Sequence, residues 1–115
     1  MSDNYEQMSN DELREEIADR LGWVNLDWDD NTLFGDNPSG MHNPENTPNY
    51  PQDCNAALEL LKDMPEYVLQ WSAICWQWRV RPIAGVMNYA LAAHETPARA
   101  ICIAWLLWQD AQEAK

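Results

Sequence analysis

The order of patterns along the chain predicts a mixed α and β fold (α+β): a three-layer α/β/α sandwich in which a three-stranded antiparallel meander is covered by helices. Three observations predict it. Helical periodicity with start signals recurs near residues 9, 51 and 97, and residues 66–94 read as extended segments separated by short turns. Strands that follow one another in sequence pair as neighbours, which leaves two faces for the flanking helices. A length of 115 residues suits one domain, placed at 9–115, with polar residues 1–8 expected to be loose.

The first helix is SNDELREEIADRLGW. Ser9 and Glu12 form a capping-box pattern, acids crowd the first turn, and Leu13, Ile17 and Leu21 recur at helical spacing before Gly22. Residues 22–50 hold three of the four glycines and many Asn and Asp, so a long irregular loop is expected, pinned by Trp23, Trp28, Leu33, Phe34 and Tyr50. The second helix is YPQDCNAALELLKDM, with Pro51 in its first turn, Cys54, Ala57, Leu58 and Leu61 on its inner face, and Pro65 as its stop. The strands are EYVLQWSAI, CWQWRVRP and GVMNYALAAH. Thr96 and Pro97 then open PARAICIAWLLWQDAQ, apolar nearly all round from Ala98 to Trp108, which implies a central helix or one shared with a second copy through residues 98–108.

Charge narrows the function. The chain carries -12, with sixteen acids against three basic residues up to position 66 and three acids against four basic residues from position 67 on. Direct DNA or RNA binding through bulk charge is excluded, as is attraction to an anionic membrane. The longest apolar run, AICIAWLLW, is about half of what crosses a bilayer. Three cysteines at wide spacing and the lack of a signal-like start point to buried thiols in the cytoplasm.

Catalytic and metal signatures are missing. No G-x-S-x-G, P-loop, dinucleotide turn or H-E-x-x-H occurs, so no enzyme, cofactor or metal site is expected. DWDDN at 27–31 starts like a calcium loop, but Thr32 stands where Gly is needed and Pro38 where an acid is needed.

What remains is WQWRVR at 76–81. At a period of two, Trp76, Trp78 and Val80 share one face, and Gln77, Arg79 and Arg81 the other. Arg79 and Arg81, with Arg99 at the start of the last helix, have guanidinium forks for phosphate, and Trp76 or Trp78 offers an indole face for a base. His94, ahead of a helix N-terminus, would line the same anion pocket. An opposing reading makes these arginines ion-pair with helix acids and the tryptophans core.

Several stretches together resemble the phage ABA-sandwich domain proteins. They are the acidic helix running into Leu21-Gly22-Trp23, TPNYPQDCNAALELLKDM from Thr47 to Met64, HETPARAICIAWL from His94 to Leu106, and the W-x-V of Trp78 to Val80. The resemblance covers roughly 9–110 and departs at the Trp71, Trp76, Trp78 cluster and at the insert from Asn37 to Asn49. It implies a small phage or prophage accessory protein in the infected host and brings no catalytic residues.

Two functions follow as expectations, beside a purely structural or assembly role. One is a non-enzymatic counter-defence protein that sequesters a small nucleotide signal on Arg79, Arg81, Arg99, Trp76, Trp78 and His94. The other is an acidic, DNA-mimic-like inhibitor that meets a basic host defence protein through Glu12, Glu15, Glu16, Asp19, Asp27, Asp29 and Asp30.

Overall fold

The computed structural model describes residues 5–38, 44–74, 76–82 and 90–113. Its elements are α1 (Asn10–Arg20), β1 (Val24–Asp29), β2 (Thr32–Asp36), β3 (Pro44–Asn46), α2 (Cys54–Leu61), β4 (Tyr67–Ser72), β5 (Gln77–Pro82), β6 (Ala92–His94) and α3 (Pro97–Glu113), preceded by a 3₁₀ turn at Tyr5–Gln7. The strands form two antiparallel sheets of three, ordered β1-β2-β3 and β4-β5-β6. The α+β class holds. The second sheet is a three-stranded antiparallel meander, as expected; α3 packs on β5 and β6, and α1 and α2 pack principally against α3.

Helix α1 has the expected ends. Glu12 N–H donates to Ser9 Oγ at 3.1 Å and Ser9 N–H to Glu12 Oε1 at 2.9 Å, the reciprocal bonds of a capping box. Gly22 takes φ +100°, and the bonds Gly22 N–H to Asp19 O and Trp23 N–H to Ala18 O close a Schellman turn that only Gly enters without strain.

The expected loop over 22–50 instead holds the first sheet. Asp29 pairs with Thr32 across the two-residue turn Asp30-Asn31, and Asp30 sits at φ +55°, a left-handed conformation that Asp tolerates. Asn25, at φ +56°, lies in an irregularity between Val24 and Asp27, which breaks the alternation a strand would show in sequence. Ala18, Trp23 and Leu33 bury the seam between this sheet and α1, with Leu21, Leu26 and Trp28 packed on them. Arg14, almost fully buried, donates to Thr47 Oγ1 at 3.0 Å and to Thr47 O at 2.6 Å and lies 5.8 Å from the Trp28 ring, tying α1 to the chain after β3.

Helix α2 starts at Cys54, three residues after Pro51, because Asp53 caps it by accepting from Asn55 and Ala56. Its buried face differs from the expected one. Ala57, Leu60 and Met64 are buried, whereas Cys54 and Leu58 are exposed and Leu61 only half-buried, a correction to the inner face expected from sequence.

In the second sheet, β4 pairs with β5 from Tyr67–Pro82 to Ser72–Gln77. Among the described residues of the third expected strand, Ala92–His94 form β6, pairing with Trp78–Val80, and Gly85 and its neighbours lie outside the described residues. Tyr67, Leu69, Trp78, Val80 and Ala92 join the main core, whose centre is α3: Ala98 and Ala100–Leu106 are all buried within the one chain. The segment 98–108 expected to serve a homodimer is therefore largely consumed by the monomer's own core.

The N-terminal turn is packed rather than loose. Tyr5 is 2% exposed and donates to Asp110 at 2.5 Å, while Arg20 donates to Asp110, Glu16 and the Tyr5 hydroxyl at 2.8–3.0 Å. Burial, then the bond to Asp110, pushes the Tyr5 hydroxyl up to about 12. The network joins the first turn, α1 and the end of α3.

Candidate functional site: an acid-rimmed groove

The strand arginines and tryptophans do not converge. Successive residues of β5 point to opposite faces, so Trp78 and Val80 turn toward α3 while Arg79 and Arg81 turn away. Arg81 donates from Nε to Gln70 Oε1 at 2.6 Å and from Nη1 to Pro82 O at 3.1 Å, a pairing across β4 and β5 rather than with the acids of α1. Trp76 is not on the strand with Trp78: it occupies the turn before β5 at φ +52° and is 71% exposed.

Arg99 is committed elsewhere. Its guanidinium donates to Asn10 Oδ1 at 2.7 Å, to Glu6 O at 3.1 Å and to Met8 O, clamping the N-terminal turn onto the start of α3. His94 Nδ1 accepts from Thr96 N–H at 3.1 Å; burial, then the Arg99 charge, lowers its pKa. His94 and Arg99 do share a cavity of 370 Å³ with Cys54, Gln52 and Asn10, apart from the tryptophans. A phosphate-and-base clamp of Arg79, Arg81, Arg99, Trp76, Trp78 and His94 is thus not assembled.

The acids do converge. Asp11, Glu15 and Asp19 follow at i, i+4 and i+8 of α1, with Glu12 and Glu16 on the adjoining stripe. One groove of 400 Å³ is lined by Glu12, Glu15, Glu16 and Asp19 with Met8 and Leu26. A second, of 310 Å³, is lined by Asp11, Glu12, Glu15 and Asp30 with Trp28. Glu12 and Glu15 belong to both, so the two grooves adjoin along α1. Among the described residues, neither lining includes a Lys or Arg.

The local fold explains the placement. Leu26 and Trp28 alternate inward from β1 to meet α1, and the Asp30 turn carries a carboxylate round the end of the hairpin to the rim. Asp27 and Asp29, one residue out of phase, are exposed on the other face of β1 and join neither lining. Glu16 is partly spent on Arg20 at 2.8 Å. Glu12 is held below the usual carboxylate range by the Ser9 backbone and side-chain bonds, so it remains charged while it caps.

Sequence reasoning missed Asp11 at the rim and the floor of Met8, Leu26 and Trp28. The alternation Leu26-x-Trp28 before an Asp-Asn turn was the signal, blurred by the irregularity at Asn25. No family model, curated protein or solved structure matches the chain.

Proposed function

We propose that the chain is a non-enzymatic binding protein whose acid-rimmed groove docks the basic surface of a nucleic-acid-binding protein. The carrying observation is the convergence of Asp11, Glu12, Glu15, Asp19 and Asp30 around an apolar floor, with no cation in the lining among the described residues. Like charges at i, i+4 weaken a helix, so Glu15 and Asp19 do not serve α1 itself, whereas Asp11 in the first turn also favours its N-terminus. Carboxylates spaced along a helix face offer a basic partner a substitute for phosphates, and Trp28 and Leu26 add area that a duplex backbone lacks.

Placed with the resemblance to phage accessory proteins, this reading gives a counter-defence protein in the cytoplasm of an infected bacterium, occluding a DNA-binding surface of the host. The test is displacement of a labelled duplex from a purified basic nucleoid protein. The native chain competes, more weakly as salt rises. The variant Glu12→Gln/Glu15→Gln/Asp19→Asn/Asp30→Asn loses roughly tenfold or more, and Gln at position 12 keeps the capping box. Equal competition by that variant would remove the reading.

A further inference from the structure

Met8 is the one residue of the larger acidic groove that belongs neither to α1 nor to β1. Its place is set from the start of α3. The Arg99 guanidinium donates to Glu6 O at 3.1 Å, to Met8 O and to Asn10 Oδ1 at 2.7 Å. At the other end of the turn, the Tyr5 hydroxyl is anchored on Asp110, and Met8 N–H donates to Tyr5 O at 3.2 Å. The N-terminal turn is thus pinned by Tyr5 at one end and by Arg99 at the other.

His94 lines the same 370 Å³ cavity as Arg99. Its Nδ1 accepts from Thr96 N–H at 3.1 Å and lies 3.3 Å from Thr96 Oγ1, so Nδ1 carries no proton and the ring is neutral. Thr96 O in turn accepts from Ala100 N–H at 3.1 Å, the bond that opens α3. A proton on Nδ1 would remove the acceptor and add a cation where two positive features already meet, Arg99 and the N-terminal end of the α3 dipole. The other titratable groups around the ring are Glu95 beside it, Glu6 on the N-terminal turn and Cys54 of α2 across the cavity; α1 contributes the neutral Asn10, and β5 sets Trp78 opposite it. Burial, then Arg99, outweighs the two acids and holds the His94 pKa below its ordinary 6.5.

From these contacts we infer that His94 is a proton-operated latch on the N-terminal turn: neutral, it ties down the entry to α3 and leaves the Arg99 clamp in place; protonated, it sets a second cation against Arg99 and releases the Met8 end of the turn. The turn yields before its surroundings do. His94 sits on a strand paired to β5 and Arg99 on the helix at the centre of the core, whereas the Met8 end of the turn is a short 3₁₀ segment held by carbonyl bonds. Release removes one wall of the acidic groove. Weaker docking in acid rests on the reading of that groove as the binding surface; the latch itself does not.

Amide hydrogen exchange tests the latch with no partner present, read residue by residue at about pH 7.5 and about pH 5, on either side of the ordinary histidine range, and divided by the intrinsic rate at each pH. In the native chain the Met8 amide loses protection roughly tenfold at the lower pH while Cys102–Leu106 keep theirs. His94→Asn places a carbonyl oxygen where Nδ1 stands, keeps the Thr96 bond as an Asx turn and does not titrate, so its Met8 amide stays protected at both. Arg99→Gln removes the clamp and leaves that amide unprotected at both. Equal protection of the native Met8 amide at the two pH values, or the same loss in His94→Asn, overturns the latch. Displacement of the labelled duplex at the two pH values then reads the link to the groove: the native chain competes less well in acid than His94→Asn does. An equal fall in both chains overturns that link, and an absence of competition at either pH overturns the docking reading while the exchange result stands.

Discussion

The N-terminal sheet with α1 and the C-terminal sheet with α3 are built from the same parts, three antiparallel strands and a helix, yet they differ in where their side chains go. Helix α3 buries Ala98 and Ala100–Leu106 and keeps Arg99 to clamp the first turn. Helix α1 buries Leu13, Arg14, Ile17 and Ala18 and turns a row of acids outward, while its sheet rests on the small cluster of Ala18, Trp23 and Leu33. One unit supplies the stability and the other supplies surface charge that stability alone would select against.

The largest way to break the comparison is Trp105→Ala. Trp105 is 1% exposed and its Nε1–H donates to Asp63 Oδ2 at 3.1 Å, so truncation leaves a large void and removes that hydrogen bond. Chemical denaturation should show a loss of about 3–5 kcal/mol, with both units unfolding together because α1 also packs on α3. Leu33→Ala should cost less, about 2–3 kcal/mol, and hydrogen exchange should quicken over residues 24–46 while the α3 amides keep their protection. Equal loss of protection in α3 would show that the two units are not energetically distinct.

A smaller effect comes from pH. Burial and the Arg99 charge lower the His94 pKa in the folded chain, so below the ordinary value of 6.5 the unfolded chain binds the proton more readily. Stability is therefore full above 6.5 and declines as pH falls from there toward the folded value. Thermal midpoints of His94→Gln should lack that part of the decline. The smallest effect is relief of repulsion: Glu15→Gln with Asp19→Asn should raise the midpoint slightly at low salt, and the gain should vanish as salt screens the stripe.

What could be read from the sequence follows the same division. The capping box of Ser9 and Glu12, the Gly22 stop, the β4–β5 hairpin and the Pro97 start of α3 each carry a local signal that tertiary packing only confirms. The first sheet carries none as strong. Its strands are short, its turn is Asp30-Asn31 rather than a Gly-containing pair, and Asn25 interrupts the alternation between Val24 and Leu26. Helix α3, apolar on every side, suited a dimer seam as well as a central core helix, and only the packing of α1, α2 and the second sheet around it decides. Trp76 misled for a different reason, since a bulky residue at positive φ breaks the period of two that placed it beside Trp78.

The site divides likewise. Glu12, Glu15, Glu16 and Asp19 were legible as one helix face. That Asp30 completes their rim while Asp27 and Asp29 leave it depends on a strand phase the sequence obscured. Arg79 and Arg81 were correctly set on one face of β5, but Arg99 could not be seen to leave them, because its partners Asn10, Glu6 and Met8 lie some ninety residues earlier.

The measurement that bears most directly on this division is the affinity of one basic nucleoid protein for three chains side by side: the native protein, the four-acid neutralised variant, and Arg79→Glu/Arg81→Glu. The account predicts that neutralising the α1 rim weakens binding roughly tenfold or more while reversing the strand arginines leaves it unchanged. Binding that ignores the rim acids and collapses on loss of Arg79 and Arg81 would contradict it, and would move the functional surface to the second sheet.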